Sequence, residues 1–370
     1  MTAPPSLERR LFDFLERADA DHFEALALDV FAYQYAHNAP YRAFCDRRSL
    51  TPERVKEWQH IPAVVTAAFK AADLTCRPKQ PSAYFLTSGT TQGNDRRGRH
   101  LMASLPLYRA AILPNAQRHL FPDLAELPDG RLQILSLTPS PPLRPHSSLI
   151  HMIDVIIQQW GTASSGYFGA AEGLDANALA WALACAADEG WPVALLGTTA
   201  AFLLFFDHCA GQGLTFALPE GSRIMDTGGN KRSDGRRQPS DDREAFLHAC
   251  EHYLDVPAPS AVNEYGMTEL SSQFYDDVRT GAKAVPHWVR VRVIDPASGE
   301  DAPAGKAGLL RIYDLANLHS VMAIQTDDVG IRSPMQSNAG SDRFHLLGRA
   351  AGAEPRGCSF DPSAATLILQ

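Results

Sequence analysis

No two of the six cysteines in this 370-residue sequence, at positions 45, 76, 185, 209, 250 and 358, form a CxxC pair. Zinc-ribbon and thioredoxin-type redox signatures are thereby absent, and so wide a scatter reads as reduced thiols in a cytoplasmic protein. Long apolar runs are missing too. The N-terminus alternates charged and apolar residues where a signal peptide would have an apolar core. The most apolar stretch, residues 193–206, is too short to span a bilayer. Positive charge is not in excess either. A formal net charge of −8 argues against nucleic acid or an anionic membrane as the main partner, while leaving room for a local basic pocket around a phosphate. With no GxSxG elbow, a serine hydrolase is disfavoured.

What is present suits a globular α/β chain. Phe23, Leu26, Val30 and Phe31 repeat at helical spacing, which predicts a helix facing a core. The Asn-Ala-Pro turn at Pro40 breaks that pattern. Short apolar runs at 83–87, 132–137 and 193–196 predict buried strands, and 174–188 and 200–210 predict helices. Strands alternating with helices imply largely parallel sheets. A polar stretch at 230–242 reads as an exposed loop. Beyond it, 288–294 and 308–313 alternate in the manner of half-exposed antiparallel strands. The expected plan is an α/β body to about 285 and a β-rich part over 286–347.

Three segments carry chemistry. In Phe85-Leu86-Thr87-Ser88-Gly89-Thr90-Thr91 a strand runs into a loop of hydroxyls and glycine, suited to approach and bond phosphate oxygens. Arg96, Arg97, Arg99 and His100 follow and offer positive charge. Such a loop also occurs as a plain Ser/Thr-rich turn. The neighbouring Gly93–Gly98 spacing matches a Walker A loop, but Arg99 and His100 stand where it needs Lys and Ser or Thr, so that motif is rejected. The second segment is Tyr265-Gly266-Met267-Thr268-Glu269. It combines an aromatic ring for a base, a hydroxyl for a phosphate and a carboxylate for Mg2+. It could equally be a capped loop. The third is Thr326-Asp327-Asp328, with Gly348-Arg349 about twenty residues on. A carboxylate is the usual partner of ribose hydroxyls, though paired aspartates also make solvated turns.

In this order the three resemble the core motifs of the adenylate-forming superfamily of acyl-CoA synthetases, adenylation domains and firefly-type luciferases. Chain length, the segments NAPYRAFC and IPAVVTAAFK, Gly228-Gly229-Asn230-Lys231 and Arg356-Gly357-Cys358-Ser359 narrow the resemblance to the acyl-protein synthetase (LuxE-type) family. Those enzymes activate a fatty acid as its acyl-adenylate and carry the acyl group on a cysteine for a partner reductase.

The resemblance implies an α/β fold: an adenylate-forming large domain over 1–347, with mixed, mostly parallel sheets, flanking helices and a small β unit. Residues 348–370 would be a hinge remnant and tail, with the usual C-terminal domain missing or reduced. It implies ATP and Mg2+ as cofactors, a carboxylic acid substrate, and an acyl-accepting partner such as a reductase or carrier protein. Thr87, Ser88, Gly89, Thr90 and Thr91 would cradle the pyrophosphate end of ATP, and Gly228, Gly229, Tyr265 and Gly266 the adenine. Thr268 would touch the α-phosphate, Glu269 would ligate Mg2+, and Asp328 with Arg349 would hold the ribose. Cys358 would carry the acyl group. Lys231 is the candidate cation in place of the lysine that the absent C-terminal domain would supply. His146, His151, Gly197 and Thr198 are candidates for facing the acid, within an apolar region over 191–216 that reads equally well as plain core. Two other functions fit the same residues: an acyl- or aryl-CoA ligase-like enzyme with a different acceptor, and a non-catalytic nucleotide- or acyl-binding protein.

Overall fold

The structure is a computed structural model that describes residues 6–17, 22–79, 81–87, 97–170, 173–228, 243–277, 280–333 and 343–350. Two compact units divide the chain. One runs to Asn115 and resumes at Gly266; the other runs from Ala116 to Tyr265.

The first unit opens with helices α1 (Leu7–Glu16), α2 (Phe23–His37) and α3 (Ala39–Asp46). In α2 the apolar spacing behaves as the sequence predicts: Phe23, Leu26, Ala27, Val30 and Phe31 are all buried. Pro40 does more than end a helix. Asn38 closes α2 and its side chain then accepts the Tyr41 N–H, while Pro40 occupies the first turn of α3, where a missing N–H costs nothing. Strand β1 (Val64–Val65), helix α4 (Ala68–Ala71) and the hairpin of β2 (Ala83–Leu86) and β3 (Arg99–Met102) follow. Helix α5 (Leu105–Leu120) takes the chain past Asn115.

In the second unit, β4 (Gln133–Pro139), β5 (Gly166–Gly169), β6 (Val193–Thr198), β7 (Arg223–Thr227) and β8 (Ala261–Tyr265) form parallel pairs in the order β5-β4-β6-β7-β8. Four helices alternate with them: α6 (Ser148–Trp160), α7 (Ala176–Glu189), α8 (Thr199–Gln212) and α9 (Arg243–Leu254). The core between strands and helices gathers Leu135, Leu137, Leu179, Leu195, Phe202, Phe205, Phe206 and Phe246. The apolar stretch over 193–206 is therefore a buried strand and a buried helix. Thr198 caps that helix by accepting the Ala201 N–H.

Back in the first unit, β9 (Phe274–Asp277), β10 (Ala282–Ala284), β11 (Val289–Ile294), β12 (Ala307–Asp314), β13 (Ala323–Arg332) and β14 (Arg343–Arg349) build an antiparallel sheet, ordered β11-β12-β13-β14-β10-β9. Val289, Val291 and Val293 point inward while Arg290 and Arg292 stay half-buried, the alternation that the sequence predicts. Strand β1 joins β13 in parallel at Ile324 and Gln325, and β14 takes over at Asp328. Among the described residues no helix is long and apolar enough to cross a membrane.

Candidate active site

In the first unit the hydroxyl segment lies in sequence between β2 and β3, which pair antiparallel. Ser88, Gly89, Thr90 and Thr91 lie outside the described residues, as do Gly229, Lys231 and Cys358. The loop's neck is closed by a reciprocal pair: the Thr87 N–H donates to the Gly98 carbonyl at 2.9 Å, and the Gly98 N–H to the Thr87 hydroxyl oxygen at 2.8 Å. A Cβ at residue 98 would stand 3.0 Å from the Phe69 backbone carbon and 3.1 Å from the Thr87 methyl, so glycine keeps the neck tight. Thr87 itself is buried, and its oxygen serves this closure.

The expected positive charge at His100 is not there. The ring is buried, with the Phe69 ring edge-on at 5.6 Å. Burial pushes its pKa down to about 4, so the imidazole is neutral at pH 7. Its Nδ1 donates to the Thr268 carbonyl at 2.7 Å, which fixes the tautomer. Arg99, the other basic residue on β3, pairs with Asp73 at 2.8 Å. A separate contact, 3.4 Å long, runs from the Thr268 hydroxyl to the Leu86 carbonyl. Thr268 is thus bonded to both strands of the hairpin that carries the hydroxyl loop.

Glu269 is buried, and its carbonyl accepts from Asn317 Nδ2 at 2.8 Å. Just beyond it, Asp314 accepts the Ser271 N–H at 3.0 Å and the Ser272 hydroxyl at 2.8 Å. Burial pushes the Asp314 carboxyl up to about 6 against the pull of these donors. Asp314 and Asn317 escaped the sequence reading. The available signal was their position as polar residues within a largely apolar segment over 309–324, which also holds Arg311, His319 and Ser320.

Register brings the third segment together. Asp328 on β13 pairs with Arg349 on β14, Arg349 Nε lies 3.3 Å from Asp328 Oδ1, and its Nη2 donates to Asp327 at 3.1 Å. One guanidinium therefore holds both aspartates.

In the second unit the strand order reverses between β4 and β6, and ligands of open α/β sheets bind beyond the carboxyl ends at such a switch. Gly197 and Thr198 end β6, and the segment with His146 leads from β4 into α6, where His151 sits in the first turn. The four candidates for the acid thus lie at one end of the sheet. Two also have a structural task. Thr198 caps α8, and a Cβ on Gly197 would meet the Leu137 Cβ at 2.8 Å. The neighbouring strand ends add a polar cluster that the sequence did not suggest. Asp226 is buried on β7 and accepts from Thr199 at 2.7 Å, Asn263 at 2.9 Å and Arg243 at 2.5 Å. Thr199 also donates to the Gly228 carbonyl at 3.0 Å, where Gly228 has a positive φ of 79°. On β8, Tyr265 is buried, and the Glu264 carboxylate accepts from the Thr227 hydroxyl.

Comparison with known proteins identifies the fold and the family. A long-chain-fatty-acid–luciferin-component ligase of Vibrio harveyi is 22% identical over 342 residues, which span 92% of this chain and 87% of that protein. Among solved structures, 2-hydroxyisobutyryl-CoA ligase with 2-HIB-AMP and CoA, in an open conformation, superposes with a TM-score of 0.65 at 14% identity. That match covers 88% of this chain and 74% of the other. The same ligase in its thioesterification state gives 0.66 at 15% identity, over 94% and 72%. These likenesses establish the adenylate-forming ligase fold. The model of the acyl-protein synthetase family LuxE matches residues 163–365, more than half of the chain, so the chain belongs to the acyl-protein synthetase family of acid-activating ligases.

Proposed function

We propose that this chain condenses a long-chain fatty acid with ATP and then passes the acyl group to a cysteine thiol. The observation that carries the reading is the bonding of Thr268, in the Tyr-Gly-Met-Thr-Glu segment, to both strands of the hydroxyl-loop hairpin. A hydroxyl for the α-phosphate and the root of a loop for the pyrophosphate are thereby held within one unit.

In the first step a carboxylate oxygen attacks the α-phosphorus in line, and the bond to the pyrophosphate oxygen breaks. The products are acyl-adenylate and pyrophosphate. In the second step a thiolate attacks the acyl carbonyl, AMP leaves with the bonding electron pair, and a thioester forms. Positioning and charge stabilisation lower the first barrier. Thr87, Ser88, Gly89, Thr90 and Thr91 would receive the leaving pyrophosphate, and Thr268 the α-phosphate. Asp328, oriented by Arg349, would bind the ribose, with Tyr265, Gly266, Gly228 and Gly229 at the base. His146, His151, Gly197 and Thr198 would face the acid.

ATP enters as its Mg2+ complex. Mg2+ takes hard oxygen ligands and few of them from protein, which suits the adjacent Glu269 carboxylate and Thr268 hydroxyl. Among the described residues no cluster of three His, Cys, Asp or Glu offers a dedicated metal cage. When bound, the cation would neutralise phosphate charge, with Lys231 as a further counter-charge. The Vibrio harveyi relative, a long-chain-fatty-acid–luciferin-component ligase, supports a long-chain fatty acid as the substrate and a separate component as the acyl acceptor, which here would be a reductase or carrier protein. Free thiols at Cys45, Cys76, Cys185, Cys209 and Cys250 suit the reducing cytoplasm.

Labelled fatty acid, ATP and Mg2+ test the reading. Label that survives denaturation, is released by neutral hydroxylamine and vanishes in Cys358→Ser would place the acyl group on Cys358. Unchanged ATP binding in a Tyr265→Ala, Asp328→Ala double variant would sink the nucleotide assignment.

A further inference from the structure

We infer that His100 and Asn317 are positioning residues that fix the backbone of Thr268 and Glu269 for MgATP. The inference rests on the reading in which these two residues meet the α-phosphate and Mg2+.

Residues 266–273 form neither strand nor helix, so the carbonyls of this segment have no ladder partners. The Met267 carbonyl accepts the Leu270 N–H, whereas side chains from outside the segment supply the donors to the carbonyls of Thr268, Glu269 and Gln273. His100 on β3 donates Nδ1–H to the Thr268 carbonyl at 2.7 Å. Asn317, in the link from β12 to β13, donates Nδ2–H to the next carbonyl, that of Glu269, at 2.8 Å. Two successive peptide units are thereby held by residues far apart in sequence. Asn317 is in turn locked. Its Nδ2 also donates to the Val321 carbonyl at 3.2 Å, and its Oδ1 accepts from the Ser271 hydroxyl at 2.5 Å. Downstream, Asp314 takes the Ser271 N–H, and Asn115 Nδ2 donates to the Gln273 carbonyl at 2.7 Å.

His100 has no proton-transfer task in this arrangement. It is 1% exposed and its Nδ1 proton is committed to a backbone carbonyl. A buried ring on the hairpin and a buried amide on the opposite link therefore set where the Thr268 hydroxyl and Glu269 carboxylate project. Groups that orient ligands to a metal-bound substrate commonly control affinity ten- to a hundredfold.

The test compares His100→Leu, which loses the donor, with His100→Asn, whose amide N–H lies where Nδ1–H was, and with Asn317→Ala. Calorimetric titration with MgATP and separate KM values for ATP and acid give the readout. The expected result is MgATP binding weakened about tenfold or more in His100→Leu and Asn317→Ala, with the acid KM changed less than about threefold. His100→Asn should stay within about threefold of wild type. Should Asn317→Ala fail to fold, Ser271→Ala, which only releases the Asn317 amide oxygen, should shift MgATP affinity in the same direction by a smaller factor. Wild-type MgATP binding in His100→Leu, or equal loss in His100→Asn and His100→Leu, overturns the inference. Equal loss of ATP and acid affinity, in step with a lowered Tm, also overturns it. Glu269→Gln separates the levels. If it leaves MgATP binding intact, the Glu269 assignment falls and the inference with it. If it weakens binding while the His100 and Asn317 variants do not, the inference alone falls.

Discussion

Arg349 on β14 grips two consecutive carboxylates of β13, with Nε 3.3 Å from Asp328 and Nη2 3.1 Å from Asp327. Asp328 is buried whereas Asp327 is half exposed, so the guanidinium spans the edge of the unit's interior. A planar fork can do this and a single ammonium cannot. Arg349→Lys should therefore lower stability by about 1 kcal/mol and weaken ATP binding severalfold. A double-mutant cycle with Asp328→Asn, read by urea midpoint and by ATP titration, should show coupling. Additive effects would mean that the pair does not act as a unit.

Acid stability should report on two buried groups of opposite sign. Burial holds His100 at about 4 where an exposed imidazole titrates at 6.5, so the unfolded chain takes up this proton first. Stability from His100 is present above pH 6.5 and is lost between 6.5 and about 4, by up to about 1.4 kcal/mol per pH unit. Asp314 behaves in reverse. Its carboxyl is raised from 3.8 to about 6, so its contribution is fully present below 3.8 and is lost as pH rises through 6. His100→Asn should flatten the loss of stability between pH 6.5 and 4, and Asp314→Asn should steepen it. Urea midpoints at pH 7, 6, 5 and 4 check both; a His100→Asn curve parallel to wild type would contradict the assignment.

Asp226 gathers Thr199, Asn263 and Arg243 around one carboxylate that is 1% exposed. Removing it takes the carboxylate from a guanidinium that still donates to the Ala261 carbonyl and is itself about one-third exposed, which keeps the cost below that of a fully buried charge. Asp226→Ala should destabilise by about 2–3 kcal/mol. Arg243→Met in the same background should recover part of the loss. No recovery would show that the cost lies elsewhere in the cluster.

The cysteines give a chemical check. Cys45, Cys76, Cys209 and Cys250 are buried, and burial pushes the first two thiols up to about 12, Cys209 to about 11 and Cys250 upwards as well. A thiol reagent applied to the native protein should mark no residues but Cys185 and Cys358. Preincubation with acid, ATP and Mg2+ should then protect Cys358 and leave Cys185 reactive. Rapid native labelling at Cys45 or Cys76 would contradict the packing described.

Local patterns were readable where one period dominates. The valines of β11 alternate with arginines, and the run into β6 is uniformly apolar, so both strands follow from the sequence alone. Motif residues were readable one by one, since Thr268, Asp328 and Arg349 each sit in a recognisable segment. Their partners were not. The Asp328–Arg349 contact depends on a strand register, and the neutral state of His100 depends on burial beside groups such as Phe69, which is not adjacent in sequence. His100 read as a cation because it follows a run of arginines, and only burial reverses that. Asp314, Asn317 and Asp226 went unread because their meaning lies in the backbone groups that they satisfy.

Acid activation is most directly tested by ATP–pyrophosphate exchange with Mg2+ and a panel of fatty, aromatic and amino acids. The account predicts exchange of labelled pyrophosphate into ATP that requires an acid, is strongest with long-chain fatty acids, and is lost in Glu269→Gln. Full ATP binding with no exchange for any acid on the panel would contradict it.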